Sequence, residues 1–318
     1  MKKAIRILLV ISFVLVLVLT AVSCGEAKQN DTGKPEKDAS DGSKTVDTFD
    51  VSPKDDTAGV GEDGENLPSA DITLTFDGKS IKASEDTDAF VIDGSIVTLK
   101  NPGTYTLKGT LADGAVIVET DKKYEVFVIF DGVSITNTKG SPFHVKSCDK
   151  TTIMLADNTE NVLTDAKNYN LPAGTTKPNA CIYSSDDLTI DGAGKLTVNG
   201  NYNNGIGSKN DIRIKNGEIV VSAVNNAIKG NDSISVTGGK VTVTKCDDGF
   251  KSDNETEEGR GLVYIENAEI NITADDDAIQ SAQAVTIAGG KVTVNCGGKS
   301  INCPGDVNVA EGVLVEND

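Results

Sequence analysis

Four short strings recur in one stretch of the chain: NNGIGSKND at 203–211, NNAIKGND at 225–232, DDGFKSDN at 247–254 and DDAIQSAQ at 276–283. Each sets two Asn or Asp residues before Gly or Ala, then one large apolar residue. Those anchors are Ile206, Ile228, Phe250 and Ile279, with Ile301 as a fifth. Their spacings are 22, 22, 29 and 22 residues, so the long step is one period plus a seven-residue insertion within 254–261. Between the anchors, apolar residues alternate with polar ones in fixed register. Ile212, Ile234, Val263, Val285 and Val307 form one column, and Ile214, Val236, Ile265, Ile287 and Val309 a second. Ile219, Val241, Ile270, Val292 and Leu314 form a third, and Val221, Val243, Ile272 and Val294 a fourth, which ends at Glu316. Alternation is the signature of strands, and a fixed period of this length is the signature of a solenoid. The two together predict an all-β parallel β-helix. It has coils of about 22 residues and three short strands per coil, stacked about 4.8 Å apart. Gly217, Gly239, Gly290 and Gly312 fall at one corner of the repeat, where a positive φ is needed.

Working outward, the register loosens upstream. "NACIYSSDDLTI" and "SPFHVKSCDKTTIML" read as two further coils, with Ile182 and Phe143 as anchors. Residues 157–178 read as a loop inserted between coils. The strand-like runs from Asp71, broken by Asp-Gly and Pro-Gly turns, read as the first, less regular coils. Residues 24–69 are rich in Asp, Glu, Lys, Gly, Ser and Thr without apolar period, the composition of a disordered linker. Residues 1–23 have a basic head at Lys2, Lys3 and Arg6, then an apolar run. Ala21-Val22-Ser23-Cys24 follows, similar to a bacterial lipobox. Lipid on Cys24 would tether the mature chain to the outer face of the membrane, which is the expected localisation. The β-helix itself is expected over residues 70–318.

The formal charge of −18 sets nucleic acid aside as a partner. His144 is the only histidine, which nearly excludes Ser-His-Asp hydrolysis and His-based zinc sites. Five cysteines besides Cys24 are an odd set for a disulfide framework. Cys246 reads as a small core residue in the column of Val224, and Cys296 and Cys303 are close enough in sequence to pair.

Equal register in a solenoid means spatial stacking. Asn203, Asn225, Asp247 and Asp276 form one row at the corner before the anchors; Asn204, Asn226, Asp248 and Asp277 form the next. Carboxylates on neighbouring coils would stand some 5 Å apart, and at an effective dielectric near 20 each like-charged pair costs about 3 kcal/mol. A hard cation with oxygen ligands, calcium, answers that charge. The expected ligands are Asp247, Asp248, Asp276 and Asp277, with Asp253 and Asn226 in addition. Asn203, Asn204, Asn225 and Arg260 are candidates for contact with a bound ligand. A surface ladder of turn-forming Asn and Asp is the alternative reading of the same rows.

The run from "NACIYSSDDLTIDGAGKLTVNGNYNNGIGSKNDIRIKNGEIVVSA" through "DDGFKSDN" and "DDAIQS" resembles a bacterial surface family described as carbohydrate-binding domain-containing proteins. The resemblance covers Ile72 to Val309. It implies a right-handed, pectin-lyase-like parallel β-helix, often a lipoprotein, with calcium at Asp-Asp corners. It also implies affinity for plant polysaccharide, notably polygalacturonate and cellulose. The sequence departs from that pattern where Asn-Asn stands at 203–204 and 225–226, and where Gly298-Lys299 precedes Ile301. Three functions stay open at this stage. One is a calcium-dependent module for acidic polysaccharide. Another is a pectate-lyase-like enzyme using Arg260, beside Asp253, as its base. The third is a non-catalytic spacer or adhesin. Arg213, between inward Ile212 and Ile214, is expected to point out and pair with an acid. No register of exposed aromatics is visible for stacking on cellulose.

Overall fold

A computed structural model describes residues 71–317; the signal segment, Cys24 and the linker through residue 69 lie outside them. Among the described residues every regular element is a strand, and no helix is long and apolar enough to cross a membrane. The coil anchored at Ile206 shows the plan. Its three strands are Asn204–Ser208, Asp211–Ile214 and Glu218–Ser222. Each pairs in parallel with its counterpart in the next coil. We call these the anchor, second and third faces. The entry corner leads into the anchor face, and the exit corner leads out of it.

The predicted columns are the core of this parallel β-helix. The anchor column runs Phe143, Ile182, Ile206, Ile228, Phe250, Ile279 and Ile301 in direct register. Ile212, Ile234, Val263, Val285 and Val307 follow on the second face. Ile219, Val241, Ile270, Val292 and Leu314 follow on the third. β-branched residues dominate because they pack well on a pleated, half-buried surface. Each fully buried Ile or Val contributes roughly 1.5–3 kcal/mol. Phe130 and Phe143 add an edge-on aromatic contact, with centroids 5.6 Å apart. In the final coil the same columns surface, with Val307 45% and Val309 37% exposed. The corner glycines Gly217, Gly239, Gly290 and Gly312 all have positive φ, as their register requires.

One upstream expectation is refined and two others are corrected. The chain from Asp71 does open in less regular coils, with Asp71–Gly78 and Ile96–Leu99 pairing in parallel with Gly103–Leu111 and Ala115–Glu119, but hairpins are folded into them. Asp71–Gly78 pairs antiparallel with Ser80–Ala83, and Phe90–Asp93 with Ile96–Leu99. The cause is local: Asp77-Gly78 and Asp93-Gly94 are hairpin turns, with φ of 67° and 60° at the glycines. The expected loop 157–178 contains a strand, Glu160–Thr164, paired with its neighbours on both sides. Asn161 hid it, because this fully buried amide occupies the core column of Leu196 and Ile219. Its Oδ1 accepts from the amides of Gly132 and Val133, at 3.0 and 2.9 Å. Lastly, a register shift after Val221 pairs Ser222 with Lys245. Cys246 therefore follows Ala223 in the core, while Val224 is 60% exposed. The cysteines at 148, 181, 246, 296 and 303 are free thiols, so Cys296 and Cys303 are not bonded to each other.

Candidate metal centre

The entry corner is a backbone ladder before it is anything else. Asn225 donates to Asn203, Asp247 to Asn225, Asp276 to Asp247 and Gly298 to Asp276, each N–H to carbonyl distance being 2.9 Å. Side chains at one register are thereby held in rows.

The upper half of the inner row hydrogen-bonds along itself, each amide donating to the coil before it. Asn226 Nδ2 donates to Asn204 Oδ1 at 2.7 Å, and Asn204 Nδ2 donates to the carbonyl of Asn179 at 3.2 Å. An amide row can pass donors downward in this way until the next residue is a carboxylate. That break comes at Asp248, which when ionised has nothing to donate. Asn226 is 2% exposed, and its Oδ1 is buried without a hydrogen-bond partner.

Below the break the carboxylates converge. Asp248, Asp276 and Asp277 each offer an oxygen within 4.8 Å of the others. Asp248 and Asp277 are buried and Asp276 is exposed. Asp248 receives Lys251 Nζ at 2.9 Å and the amide of Asp277 at 3.3 Å. Asp277 receives the amide of Lys299 at 2.8 Å and Asn302 Nδ2 at 2.6 Å. Against these carboxylates, and the exposed Asp247 and Asp275 nearby, the hydrogen bonds supply one ammonium. The neighbouring Asp277 charge holds the Asp276 carboxyl above its usual range, followed by desolvation and then Asp248 and Asp247. Gly298 keeps the space between them open. A Cβ there would stand 2.5 Å from Asp276 Oδ1 and 2.7 Å from Asp277 Oδ1. An orphaned amide oxygen, three converging carboxylates and a gap free of side chain fit a hard divalent cation with oxygen ligands.

Asp253 and Arg260 are not brought to this cluster. Both belong to the exit corner, at the far end of the strand Phe250–Ser252. Asp253 Oδ2 accepts from Lys229 Nζ at 2.5 Å. Arg260 Nη1 reaches Asp232 Oδ2 at 2.8 Å and Asp211 Oδ1 at 4.0 Å. Arg213 points out, as expected, and forks between Asp187 and Asp211 at 2.8 Å each. The exit corner is thus a second acidic row, with its cations built in.

One feature of the entry corner is not visible in the sequence. Tyr202, just before Asn203, stacks on Tyr169, with ring centroids 4.1 Å apart and planes 16° from parallel. Tyr169 belongs to the segment 165–179, which leaves the coil and returns at Asn179. Its hydroxyl donates to Asp165 Oδ2 at 2.6 Å. Burial pushes the Asp165 carboxyl up to about 6. The sequence carries no repeat that would place Tyr169 against Tyr202.

Fold and site together define a parallel β-helix whose repeated corner gathers oxygen ligands around unbalanced charge. The carbohydrate-binding domain-containing protein family matches residues 93–315, and the chain belongs to that family. A carbohydrate-binding domain-containing protein of Acetivibrio thermocellus is 44% identical over 161 residues, 50% of this chain and 56% of the relative. The chain thus spans about half the length of that curated relative. A solved polysaccharide lyase-like protein from C. thermocellum, in a gadolinium derivative, is similar with a TM-score of 0.76 at 43% identity. That match covers 78% of this chain and 100% of the other.

Proposed function

We propose that the chain binds acidic plant polysaccharide of the polygalacturonate type through calcium at the entry corner, without cutting it. The observation that carries this is the convergence of Asp248, Asp276 and Asp277 within 4.8 Å. Asp248, Asp276 and Asp277 would hold the ion, with Asn226 Oδ1 as a neutral ligand and Asp247 at the outer edge. Calcium, when bound, supplies positive charge and room for further oxygen ligands. The chain's own part is to fix those oxygens on successive coils and to keep Gly298 from filling the gap. A chain of formal charge −18 repels a polyuronate, so a divalent bridge is a requirement of the reading. Asn203 and Asn225 line the same corner and offer amides to sugar hydroxyls, whereas Asn204, expected beside them, is buried with its amide engaged by Asn179 and Asn226. Lipid on Cys24 would display the module on the outer face of the bacterial membrane.

The lyase alternative gains nothing from the geometry, because Arg260 is engaged by Asp232 at the other corner. The test is retention on immobilised polygalacturonate in calcium and in chelator, with unsaturated product followed by ultraviolet absorbance. Retention in calcium alone, with no product, is expected. Equal retention in both conditions would remove calcium from the reading, and steady product formation would make the protein a lyase.

A further inference from the structure

We propose that Asn204 is a positioning residue for the cation at the entry corner. Its amide, turned by the carbonyl of Asn179, obliges Asn226 to face the carboxylates with oxygen rather than with NH2. This rests on the calcium reading above, but Asn204 is buried and itself touches neither ion nor sugar. The inner row has a polarity, and that polarity is imposed from its upper end. A backbone carbonyl can only accept, so the orientation of the amides below follows from it. The Asn179 carbonyl accepts from both the backbone amide and Nδ2 of Asn204, at 3.2 Å each. Asn204 Oδ1 is thereby turned to the next coil, where it accepts from the backbone amide and Nδ2 of Asn226, at 3.3 and 2.7 Å. Asn226 is left with its oxygen on the side of the coil that carries Asp248.

The opposite polarity would suit a corner without a cation better, because Asn226 Nδ2 would then donate to the Asp248 carboxylate. In exchange Asn226 Oδ1 would meet Asn204 Oδ1, acceptor against acceptor. Turning Asn204 as well would only move the clash, setting its Oδ1 against the Asn179 carbonyl. Neither amide can turn alone, and the carbonyl cannot donate at all. The step below Asn226 is accordingly unlike its neighbours. Asn204, Asp248 and Asp277 each accept through Oδ1 from the backbone amide of the next coil, at 3.3, 3.3 and 2.8 Å. Asn226 Oδ1 accepts from nothing. A buried oxygen denied a donor costs stability, and a hard cation offsets that cost by taking it as a neutral ligand. The head of this relay is remote from the ion. Asn179 ends the segment 165–179, three coils and about 14 Å from Asp248. Tyr169 fixes that segment. Its ring stacks on Tyr202, and its hydroxyl lies 2.6 Å from Asp165 Oδ2 and 2.9 Å from the carbonyl of Ala180, the residue after Asn179.

The experiment measures calcium affinity of the full chain by calorimetry. Asn204→Leu keeps the size and removes the acceptor that holds Asn226, which can then turn its Nδ2 to Asp248. Affinity should fall about tenfold, the effect of losing a metal ligand's orienting partner. Asn204→Asp keeps an oxygen turned to Asn226 Nδ2 and should restore at least the wild-type affinity. Asn226→Ala removes the group being positioned, so in that background Asn204→Leu should lower the affinity no further. Should Asn204→Leu not fold, Tyr169→Phe takes its place at the head of the relay. It should weaken calcium severalfold, and that loss should vanish with Asn226→Ala. Unchanged affinity in the folded variant, a loss that persists in the Asn226→Ala background, or no rescue by Asn204→Asp overturns the relay alone. A wild-type chain that takes up no calcium sinks the calcium reading with it.

Discussion

At the exit corner Asp187, Asp211 and Asp232 stand within reach of two guanidinium groups, while at the entry corner Asp248, Asp276 and Asp277 share one ammonium. Both rows are acidic; the exit row lies on the coils anchored at Ile182, Ile206 and Ile228, and the entry cluster on the next two, anchored at Phe250 and Ile279. Arg213 forks between two carboxylates and Arg260 closes on a third, so the exit row is neutralised from within and its geometry is finished. Ser233 Oγ and Asn254 Nδ2 complete it, donating to Asp211 at 2.7 Å and to Asp232 at 2.8 Å. The entry row ends its amide ladder on an oxygen with no donor and then stacks like charges. Stacked aspartates are therefore not in themselves a metal site. What decides is whether the adjacent coils bring their own cations.

The strongest way to break this comparison is to remove the charge at the entry corner. Asp248→Asn with Asp277→Asn keeps the shape and should abolish calcium-dependent stabilisation. That stabilisation should be about 2.7 kcal/mol in the wild type at a calcium concentration 100 times the dissociation constant. Retention on polygalacturonate in calcium should fall more than tenfold in the same variant. A double variant that still melts higher in calcium would move the ion elsewhere. The complementary change is at the exit corner. Arg213→Gln strips a partly buried pair of aspartates of their guanidinium and should cost roughly 2 kcal/mol in urea unfolding. The calcium-induced rise in melting temperature should survive intact. If that rise disappears, the two corners are coupled and the contrast between them fails.

The sequence made the contrast half legible. Columns such as Ile212 to Val307 could be read because a solenoid turns sequence period directly into stacking, and the entry rows came with them. The exit row was legible only through Arg213, expected to pair with an acid, because its second cation arrives from outside the repeat. Arg260 lies in the seven-residue insertion, and which acid it meets depends on how the insertion folds back. The strand at Glu160–Thr164 escaped because Asn161 puts an amide in an apolar column, where it pairs with backbone instead of breaking the core. The hairpins within the opening coils were missed for a different reason. Asp-Gly signals a turn in a coil corner and in a hairpin alike, and only the pairing partner tells them apart. The Tyr169–Tyr202 stack needed a loop closure that carries no period at all.

A smaller effect comes from giving the entry corner a cation of its own. Gly298→Lys would fill the gap beside Asp276 and Asp277 and bring an ammonium to it, imitating the exit corner. The calcium-induced shift in melting temperature should shrink to a minor fraction of the wild-type shift. Melting in chelator should fall by a few degrees, because the added Cβ would also stand 2.8 Å from the backbone carbon of Asp276, and roughly 1 kcal/mol of such crowding shifts melting by that much in a domain of this size. A lysine variant that keeps the full calcium shift would mean that the gap at Gly298 is not where the ion sits.

The smallest expected effect is in the pH dependence, and it separates the corners without any mutation. The Asp276 carboxyl is raised above its ordinary 3.8, first by the charge of Asp277. The folded chain then holds this proton to higher pH than the unfolded chain does. Stability in chelator must therefore fall as pH rises from about 4 through the raised value. Asp211 is raised as well, but burial is its largest cause and Arg213 and Arg260 work against it. Calcium at the entry corner leaves that contribution unchanged. Subtracting melting curves in chelator from those in calcium cancels the exit corner and leaves the entry corner. The calcium-induced shift should be smallest at the acid end, where protons compete for the Asp276 carboxylate, and should grow with pH through the raised value of that group. Asp276→Asn should flatten that growth, since the raised group and its repulsion go together. A calcium shift that is the same at every pH would mean that the ion does not sit among these carboxylates, and the two corners would then differ only in how their charge is screened.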